Sequence, residues 1–127
     1  MPKHNFEFFS SDVKTRAPSI TVDRQGRIKL SASFREMIKA KDVPVKMYVG
    51  YDKIHDRFAL APPDTELDKA GKRPYTFDKT RGYTNAKALQ EYFRIPYKDK
   101  ARRYIYVDRH NGAYVFAHED EGRAVAN

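Results

Sequence analysis

The same pattern of residues occurs twice in this chain, and this repeat limits the fold more than any other feature of the sequence. The second copy starts 55 residues after the first (75 − 20), and after one inserted residue the shift becomes 56 (104 − 48). The matched pairs include Thr21 and Thr76, Asp23 and Asp78, Phe34 and Leu89, Glu36 and Glu91, Lys39 and Arg94, Tyr48 and Tyr104, and Ala61 and Ala117. Because like residues match over about forty positions, we interpret the chain as a tandem duplication.

The start of the first copy predicts a β-hairpin followed by a helix. Apolar and polar residues alternate at 20–22 and again at 28–30, and the two runs flank a turn that contains Gly26. Glycine permits the positive φ that such a turn needs. Ser31 or Ser33 can then cap a short helix, because a serine hydroxyl accepts the free N–H groups of the first helical turn.

The rest of each copy predicts a second hairpin. The helix of the first copy runs to about Ala40, and strands are expected at 45–51 and 58–60. In the second copy the corresponding turn contains Asn111 and Gly112, a pair typical of two-residue hairpin turns. Each copy is therefore expected to fold as a hairpin, a helix and a hairpin.

These boundaries divide the chain into five segments. One module of about forty residues buries too little surface to be stable alone, so the two copies are expected to pair their strands in one domain. The segments are an N-terminal extension at 1–17, the first repeat at 18–61, a linker at 62–73, the second repeat at 74–117 and a disordered tail at 118–127.

Basic residues are in excess, and the excess lies in the repeats. The chain has 25 Lys and Arg against 17 Asp and Glu, a formal charge of +8. Residues 20–47 hold seven basic and three acidic residues, and residues 72–103 hold ten and three. This distribution favours a polyanionic partner, because binding releases the counterions condensed on it. Cysteine is absent and no apolar run is long enough to span a bilayer, so a cytoplasmic location at the nucleoid is expected.

The first copy also resembles a known family. The segment VDRQGRIKLSASFREMIKAKDVPVKMYVGYDKIHDRFALAP is similar to the swapped-hairpin DNA-binding domain of the AbrB and SpoVT regulators. The tandem arrangement is similar to that of MraZ, in which an aspartate and an arginine lie four residues apart, as Asp23 and Arg27 do here. The resemblance implies a mainly β fold with short helices, in which the two repeats form an intrachain pseudo-two-fold swapped-hairpin (double-split) β-barrel.

The same resemblance implies a surface that contacts duplex DNA. It points to Arg27 in the turn and Arg35 in the helix. Basic residues near them and in the second copy are added on physical grounds, namely Arg24, Lys29, Lys79, Arg81, Lys87 and Arg94. Asp23 is expected to be structural, either accepting N–H groups of the turn or pairing with Arg27. That pairing is the alternative role of Arg27, and a solvated helix face is the alternative for Arg35.

The second copy departs from the family pattern, which makes recognition of two equivalent half-sites doubtful on sequence grounds. It reads Arg81-Gly82 instead of Gly-Arg, and it has Gln90 where the first copy has Arg35. In the first copy, Ser31 stands where the family usually has proline. One half is therefore expected to read bases while the other grips phosphate or has drifted to another task.

The functional expectation is a DNA-binding transcriptional regulator or nucleoid-associated factor, and two alternatives stay open. The first is a protein-binding regulator, such as an antitoxin or a phage-type inhibitor of host machinery, that uses Phe6, Phe8 and Phe9 of the N-terminal extension. The second is an RNA-binding module that uses the tyrosines of residues 102–116. A homo-oligomer is a further expected partner, and a membrane is not.

Catalytic motifs are missing from the sequence. The four histidines show no HExxH or other metal-ligand spacing, and no glycine-rich phosphate-binding loop is present. No serine has the surroundings of a nucleophile elbow. The chain is therefore expected not to be an enzyme and to need no cofactor, metal or small-molecule substrate.

Overall fold

Alternating burial of apolar side chains builds a mainly β structure with two short helices. The computed structural model describes Phe6, residues 17–63 and residues 70–120 of the chain. The strands are β1 (Ser19–Val22), β2 (Arg27–Leu30), β3 (Val45–Asp52), β4 (Arg57–Ala61), β5 (Tyr75–Phe77), β6 (Tyr83–Asn85), β7 (Arg102–His110) and β8 (Ala113–His118). The helices are α1 (Ala32–Met37) and α2 (Lys87–Tyr92).

All strand pairs are antiparallel and belong to one eight-stranded sheet. The strand order is β5-β3-β4-β8-β7-β1-β2-β6. The two outermost strands, β5 and β6, are consecutive in the chain, and the Asp78 N–H donates to the Tyr83 carbonyl across their turn at 2.9 Å. The sheet therefore curls into a nearly closed barrel, which confirms the mainly β class expected from the sequence.

Hairpins from the two halves of the chain alternate with one another around the sheet. In the first half, β1 pairs with β7 and β2 pairs with β6. In the second half, β5 pairs with β3 and β8 pairs with β4. Neither half therefore forms its sheet alone, and a single core is shared between them.

The core lies inside the barrel and is closed by side chains of both helices. Phe34 of α1 makes edge-on ring contacts with Tyr114 and Phe116 of β8, with centroid distances of 5.2 and 5.0 Å. Phe93, which ends α2, lies 5.1 Å from Tyr51 of β3. Residues with no more than 1% exposure include Ile20, Val22, Ile28, Leu30, Phe34, Phe58, Leu60, Phe77, Tyr104 and Phe116. In the described part of the chain, neither helix is long and apolar enough to cross a membrane.

Capping and turn chemistry follow the sequence closely. The Ser31 hydroxyl accepts the Phe34 N–H at 3.1 Å, so the predicted cap of α1 is confirmed. Asn111 and Gly112 both have positive φ, 50° and 83°, as the hairpin prediction requires. The helix ends earlier than predicted, at Met37 instead of about Ala40, because Lys39 takes a left-handed φ of 57°.

The outer segments differ in how much of them the structure describes. β8 includes His118, so ordered strand extends one residue into the segment predicted as a disordered tail. Residues 121–127 of that tail lie outside the described residues, as do 1–5 and 7–16 of the N-terminal extension and 64–69 of the linker.

Candidate nucleic-acid interface

Strands β2 and β6 form a two-stranded ribbon with one side in the core and one side on the surface. Ile28 pairs with Thr84 at its centre, and both side chains are buried. Because successive side chains alternate across a strand, the residues on either side of this pair face outward. They are Arg27 opposite Asn85 and Lys29 opposite Tyr83. We call these four side chains the ribbon face.

Two more basic residues flank the ribbon face at matching positions on either side. Arg103 of β7 pairs with Thr21 of β1, which in turn pairs with Lys29. On the other side, Lys46 of β3 pairs with Thr76 of β5. We call Lys46 and Arg103 the flanking cations. None of the four strands β1, β2, β5 and β6 contains an acidic residue, so this side of the barrel is positive.

The guanidinium of Arg27 is held on two sides. Its Nε lies 2.7 Å from Oδ2 of Asp23, and its Cζ lies 4.4 Å from the centroid of the Tyr83 ring. Oδ1 of Asp23 also accepts the Gln25 and Arg27 N–H groups, each at 2.9 Å. The structural role predicted for Asp23 is therefore confirmed. Since Nε is the only atom of the guanidinium bonded within the described residues, its Nη1 and Nη2 edge is available to a ligand.

Each hairpin turn rests on the helix start of the other half. The Ala86 N–H donates to the Gly26 carbonyl at 3.2 Å, and the Leu30 N–H donates to the Gly82 carbonyl at 2.9 Å. A Cβ on Gly26 would lie 2.9 Å from Cα of Lys87, so only glycine fits there. The predicted turn and helix-start cations are consequently gathered at the two ends of the ribbon.

The exposed cations divide between these two ends. Arg24 lies near Lys87 at one end, and its Nε donates to the Lys98 carbonyl at 3.1 Å. Lys79 and Arg81 occupy the turn at the other end. Arg94 follows α2, is exposed and has a φ of 56°. All five side chains are exposed, and those of Arg24, Lys79, Arg81 and Lys87 belong to the turns and the helix start at the two ends of the ribbon.

Arg35 is placed differently from the other predicted site residues. It is only 8% exposed, and its Nη2 donates to the Lys79 carbonyl in the turn of the second half. The sequence predicts Arg35 as a DNA contact, with a solvated helix face as the alternative. The observed bond instead ties α1 to the opposite hairpin, so Arg35 positions a turn whose own cations are exposed.

The flanking cations were not among the predicted site residues. Alternation places Lys46 on the outer face, between the buried Val45 and Met47. It does not assign a face to Arg103, because the residues around it in β7 read Arg-Arg-Tyr-Ile-Tyr-Val. Local sequence does not say which strands are neighbours. The contribution of β3 and β7 to this surface follows only from the strand order.

The aromatic residues named for the RNA-binding and protein-binding alternatives differ in exposure. Tyr104 is fully buried, packs 4.8 Å from Phe58 and is not available to stack on a base. Phe6 is 72% exposed. Phe8 and Phe9 lie outside the described residues.

The opposite side of the barrel, around the β4–β8 ladder, has mixed charge. Asp52 and Asp108 are exposed there. Burial raises the pKa of Asp56, but hydrogen bonds from the Tyr51 and Tyr104 hydroxyls, with the charge of Arg102, outweigh it and hold that pKa below its ordinary value. No three metal-ligating side chains gather within the described ranges. The ribbon side is therefore the better surface for an anion.

Comparison with protein-family models, with curated proteins and with solved structures finds no match to this chain.

Proposed function

We propose that this protein binds duplex DNA through the ribbon face and the flanking cations, and acts as a transcriptional regulator or nucleoid-associated factor. The observation that carries the proposal is the outward row of Arg103, Thr21, Lys29 and Tyr83 across four adjacent strands, with no carboxylate on β1, β2 or β6. Cations fixed on a rigid sheet lose little conformational freedom on binding phosphates, and they displace the counterions of the duplex.

The ribbon supports a duplex over a single strand, because the major groove of B-DNA admits a two-stranded β-ribbon. Arg27 and Lys29 then face base edges or nearby phosphates, while Lys46 and Arg103 reach the backbones on either side. The alternative of single-strand stacking needs exposed aromatic rings, but Tyr104 is fully buried, and Tyr106 and Tyr114 are partly buried against the core.

We also propose the finer fold that the AbrB, SpoVT and MraZ resemblance implies, a pseudo-two-fold barrel of two swapped-hairpin repeats. The helix ends support it, because residues matched in sequence make matched bonds. Ala40 N–H donates to the Arg35 carbonyl at 2.8 Å, and Ile95 N–H donates to the Gln90 carbonyl at 2.9 Å. The residues before them, Lys39 and Arg94, have left-handed φ values of 57° and 56°.

Crosswise pairing of the hairpins supports the same proposal. The β1–β2 hairpin lies between β7 and β6, two strands of the second half. The glycines of the two first turns, Gly26 and Gly82, each accept an N–H from the strand end or helix entrance of the opposite half. Exchange of hairpins between repeats produces this arrangement.

The proposal is tested by fluorescence anisotropy of a labelled 20-base-pair random duplex titrated with the full chain at several salt concentrations. Measurable binding whose affinity falls steeply with salt is expected, since log K declines by about 0.9 per phosphate contact for each tenfold rise in salt. Lys29→Ala is expected to weaken binding and to reduce that slope by about 1.

Lys53→Ala is the matched control, because it removes the same charge from an exposed position in the β3–β4 turn. It is expected to leave both quantities nearly unchanged. Absence of binding at the lowest salt contradicts the proposal, and a pull-down that uses the N-terminal extension, with Phe6, then tests the protein-binding alternative. Preference for single-stranded RNA over the duplex favours the RNA-binding alternative instead.

A further inference from the structure

The two halves of the ribbon face occupy equivalent positions but differ in chemistry. Interchanging the two strands places Ile28 at the position of Thr84 and Thr84 at the position of Ile28, the central pair of the ribbon. The same exchange puts Arg27 in the place of Tyr83, and Lys29 in the place of Asn85. One half thus presents a guanidinium and an ammonium, and the other presents a phenol and a carboxamide.

The flanking cations do not share this difference. Lys46 pairs with Thr76 on one side, and Arg103 pairs with Thr21 on the other. Both sides therefore offer a threonine and a cation at related positions. Contacts with the DNA backbones are equivalent across the pseudo-two-fold, while contacts with base edges are not.

Arg27 is the side chain of the ribbon face best prepared to read a base. The ion pair with Asp23 fixes its Nε edge, and the Tyr83 ring covers one face at 4.4 Å. The remaining edge carries two parallel N–H donors, the arrangement that matches O6 and N7 of guanine. Little rotamer freedom is left to lose on binding, because the side chain is already held in the free protein.

The related half has no group of this kind. Oδ1 of Asn85 accepts the Lys87 N–H at 3.1 Å, so its acceptor serves the entrance of α2 and its amide nitrogen remains as a lone donor. The Tyr83 ring is occupied by Arg27, with Nζ of Lys29 also 5.4 Å from its centroid. A bidentate contact to guanine or adenine is therefore not formed from this half.

We propose that one chain recognises a DNA site without two-fold symmetry, with Arg27 as the specificity-determining residue that reads guanine on one side. Asp23 and Tyr83 act as positioning residues for it. The inference rests on the proposed DNA binding and deepens it by naming the class of target. A chain bound in this way has a defined orientation on the duplex.

Selection of binding sites from a random duplex library by the full chain tests this inference. The expected result is a non-palindromic motif with guanine conserved on one side. Replacing that guanine is expected to weaken binding about tenfold or more, as a bidentate contact worth about 1–3 kcal/mol implies. Arg27→Lys keeps the positive charge but removes the two parallel N–H donors of the guanidinium. It is therefore expected to retain binding to random duplex while losing the guanine preference.

A symmetrising variant provides the matched comparison. Tyr83→Arg combined with Asn85→Lys gives both halves the same side chains, and it is expected to shift the selected motif toward a palindrome. A palindromic motif for the wild-type chain, or a guanine preference unchanged in Arg27→Lys, overturns the inference while leaving DNA binding intact. No enrichment of any duplex over the input library, together with no binding at low salt, overturns the proposed function itself.

Discussion

Gly26 and Lys87 approach one another so closely that a Cβ on the glycine would lie 2.9 Å from Cα of the lysine. The two residues belong to different halves of the chain, one in the turn of the first hairpin and the other at the start of α2. This contact is one of the points at which the halves are locked together. It also brings the basic turn beside the exposed Lys87.

Gly26→Ala is expected to lower the free energy of unfolding by about 2–4 kcal/mol, because a left-handed backbone and a backbone overlap both oppose the new methyl group. Gly112→Ala is the control: its φ of 83° matches the 81° of Gly26, but no atom lies within 4 Å of its Cβ position. The control is expected to lose only about 1 kcal/mol. Urea unfolding measures both variants, and equal losses would show that the contact with Lys87 contributes nothing.

Asp23 is expected to stabilise the turn more through backbone bonds than through its ion pair. Asp23→Asn keeps an acceptor for the two backbone N–H groups and removes the charge, so a loss of about 0.5–1 kcal/mol is expected for this partly exposed pair. Asp23→Ala removes every bond and is expected to lose about 2 kcal/mol. If chemical denaturation finds the two variants equally unstable, the ion pair with Arg27 is the dominant contribution.

Gln90 is expected to destabilise the native state. It is fully buried, and neither Oε1 nor Nε2 has a hydrogen-bond partner among the described residues. Gln90→Met fills a similar volume without a polar group, so the free energy of unfolding is expected to rise by about 1–3 kcal/mol. Gln90→Glu keeps the shape and adds a charge, and it is expected to lower stability strongly. A less stable Gln90→Met would indicate that the amide is satisfied in solution.

The bonds made by Asp56 predict that its contribution to the free energy of unfolding depends on pH only in the acidic range. Oδ1 of Asp56 accepts the Tyr51 and Tyr104 hydroxyls at 2.6 and 2.7 Å, and Oδ2 accepts from Arg102 at 2.6 Å. Since its pKa is lowered in the folded state, its contribution is complete above the ordinary value of about 3.9 and is lost as pH falls through the folded value.

Asp56→Asn is therefore expected to be about 1–3 kcal/mol less stable than wild type near neutral pH. The difference is expected to begin to shrink as pH falls below about 4, where the unfolded carboxyl takes up a proton, and to be lost as pH falls through the lower pKa of the folded state. Denaturant unfolding followed between pH 2 and pH 7 measures this difference. A gap that stays constant across the whole range would contradict the role given to the ionised carboxylate.

Local elements were predictable from the sequence because each has a short-range cause. The Ser31 cap, the Asn111-Gly112 turn and the positive φ of Gly26 all follow from the chemistry of one or two residues. The order of the strands has no such local signal. It is fixed by packing between residues that are distant in the chain, which is why the flanking cations were not identified.

The correspondence between residues of the two halves could not be predicted in full from the sequence either. Alignment of like residues in the sequence matches Tyr48 with Tyr104 after one inserted residue. The observed pairs are Val22 with Arg102 and Val45 with Phe77; under the proposed pseudo-two-fold, these pairs relate β1 to β5 by 55 residues (77 − 22) and β3 to β7 by 57 (102 − 45). Alternation then directs Tyr104 into the core and Tyr48 to the other face of the sheet, where its side chain is also buried, so in this arrangement the two tyrosines are not equivalent.

The basic residues of the candidate site could be predicted from the sequence, but the placement of each side chain could not. Arg24, Arg27, Lys29, Lys79 and Arg81 are exposed or half-exposed beside the ribbon. Arg35 is buried because α1 has only six residues and the turn of the other half covers it. That covering is a tertiary contact, and the polarity of a six-residue helix does not reveal it.

Backbone amide shifts recorded by NMR during titration with a 20-base-pair duplex test whether DNA binds at the ribbon face. The largest changes are expected in β2 and β6, with smaller ones at Lys46 and Arg103 and none in the β3–β4 and β7–β8 turns. Changes confined to those two turns, or no changes at low salt, would contradict the assignment of the ribbon face as a DNA-binding surface.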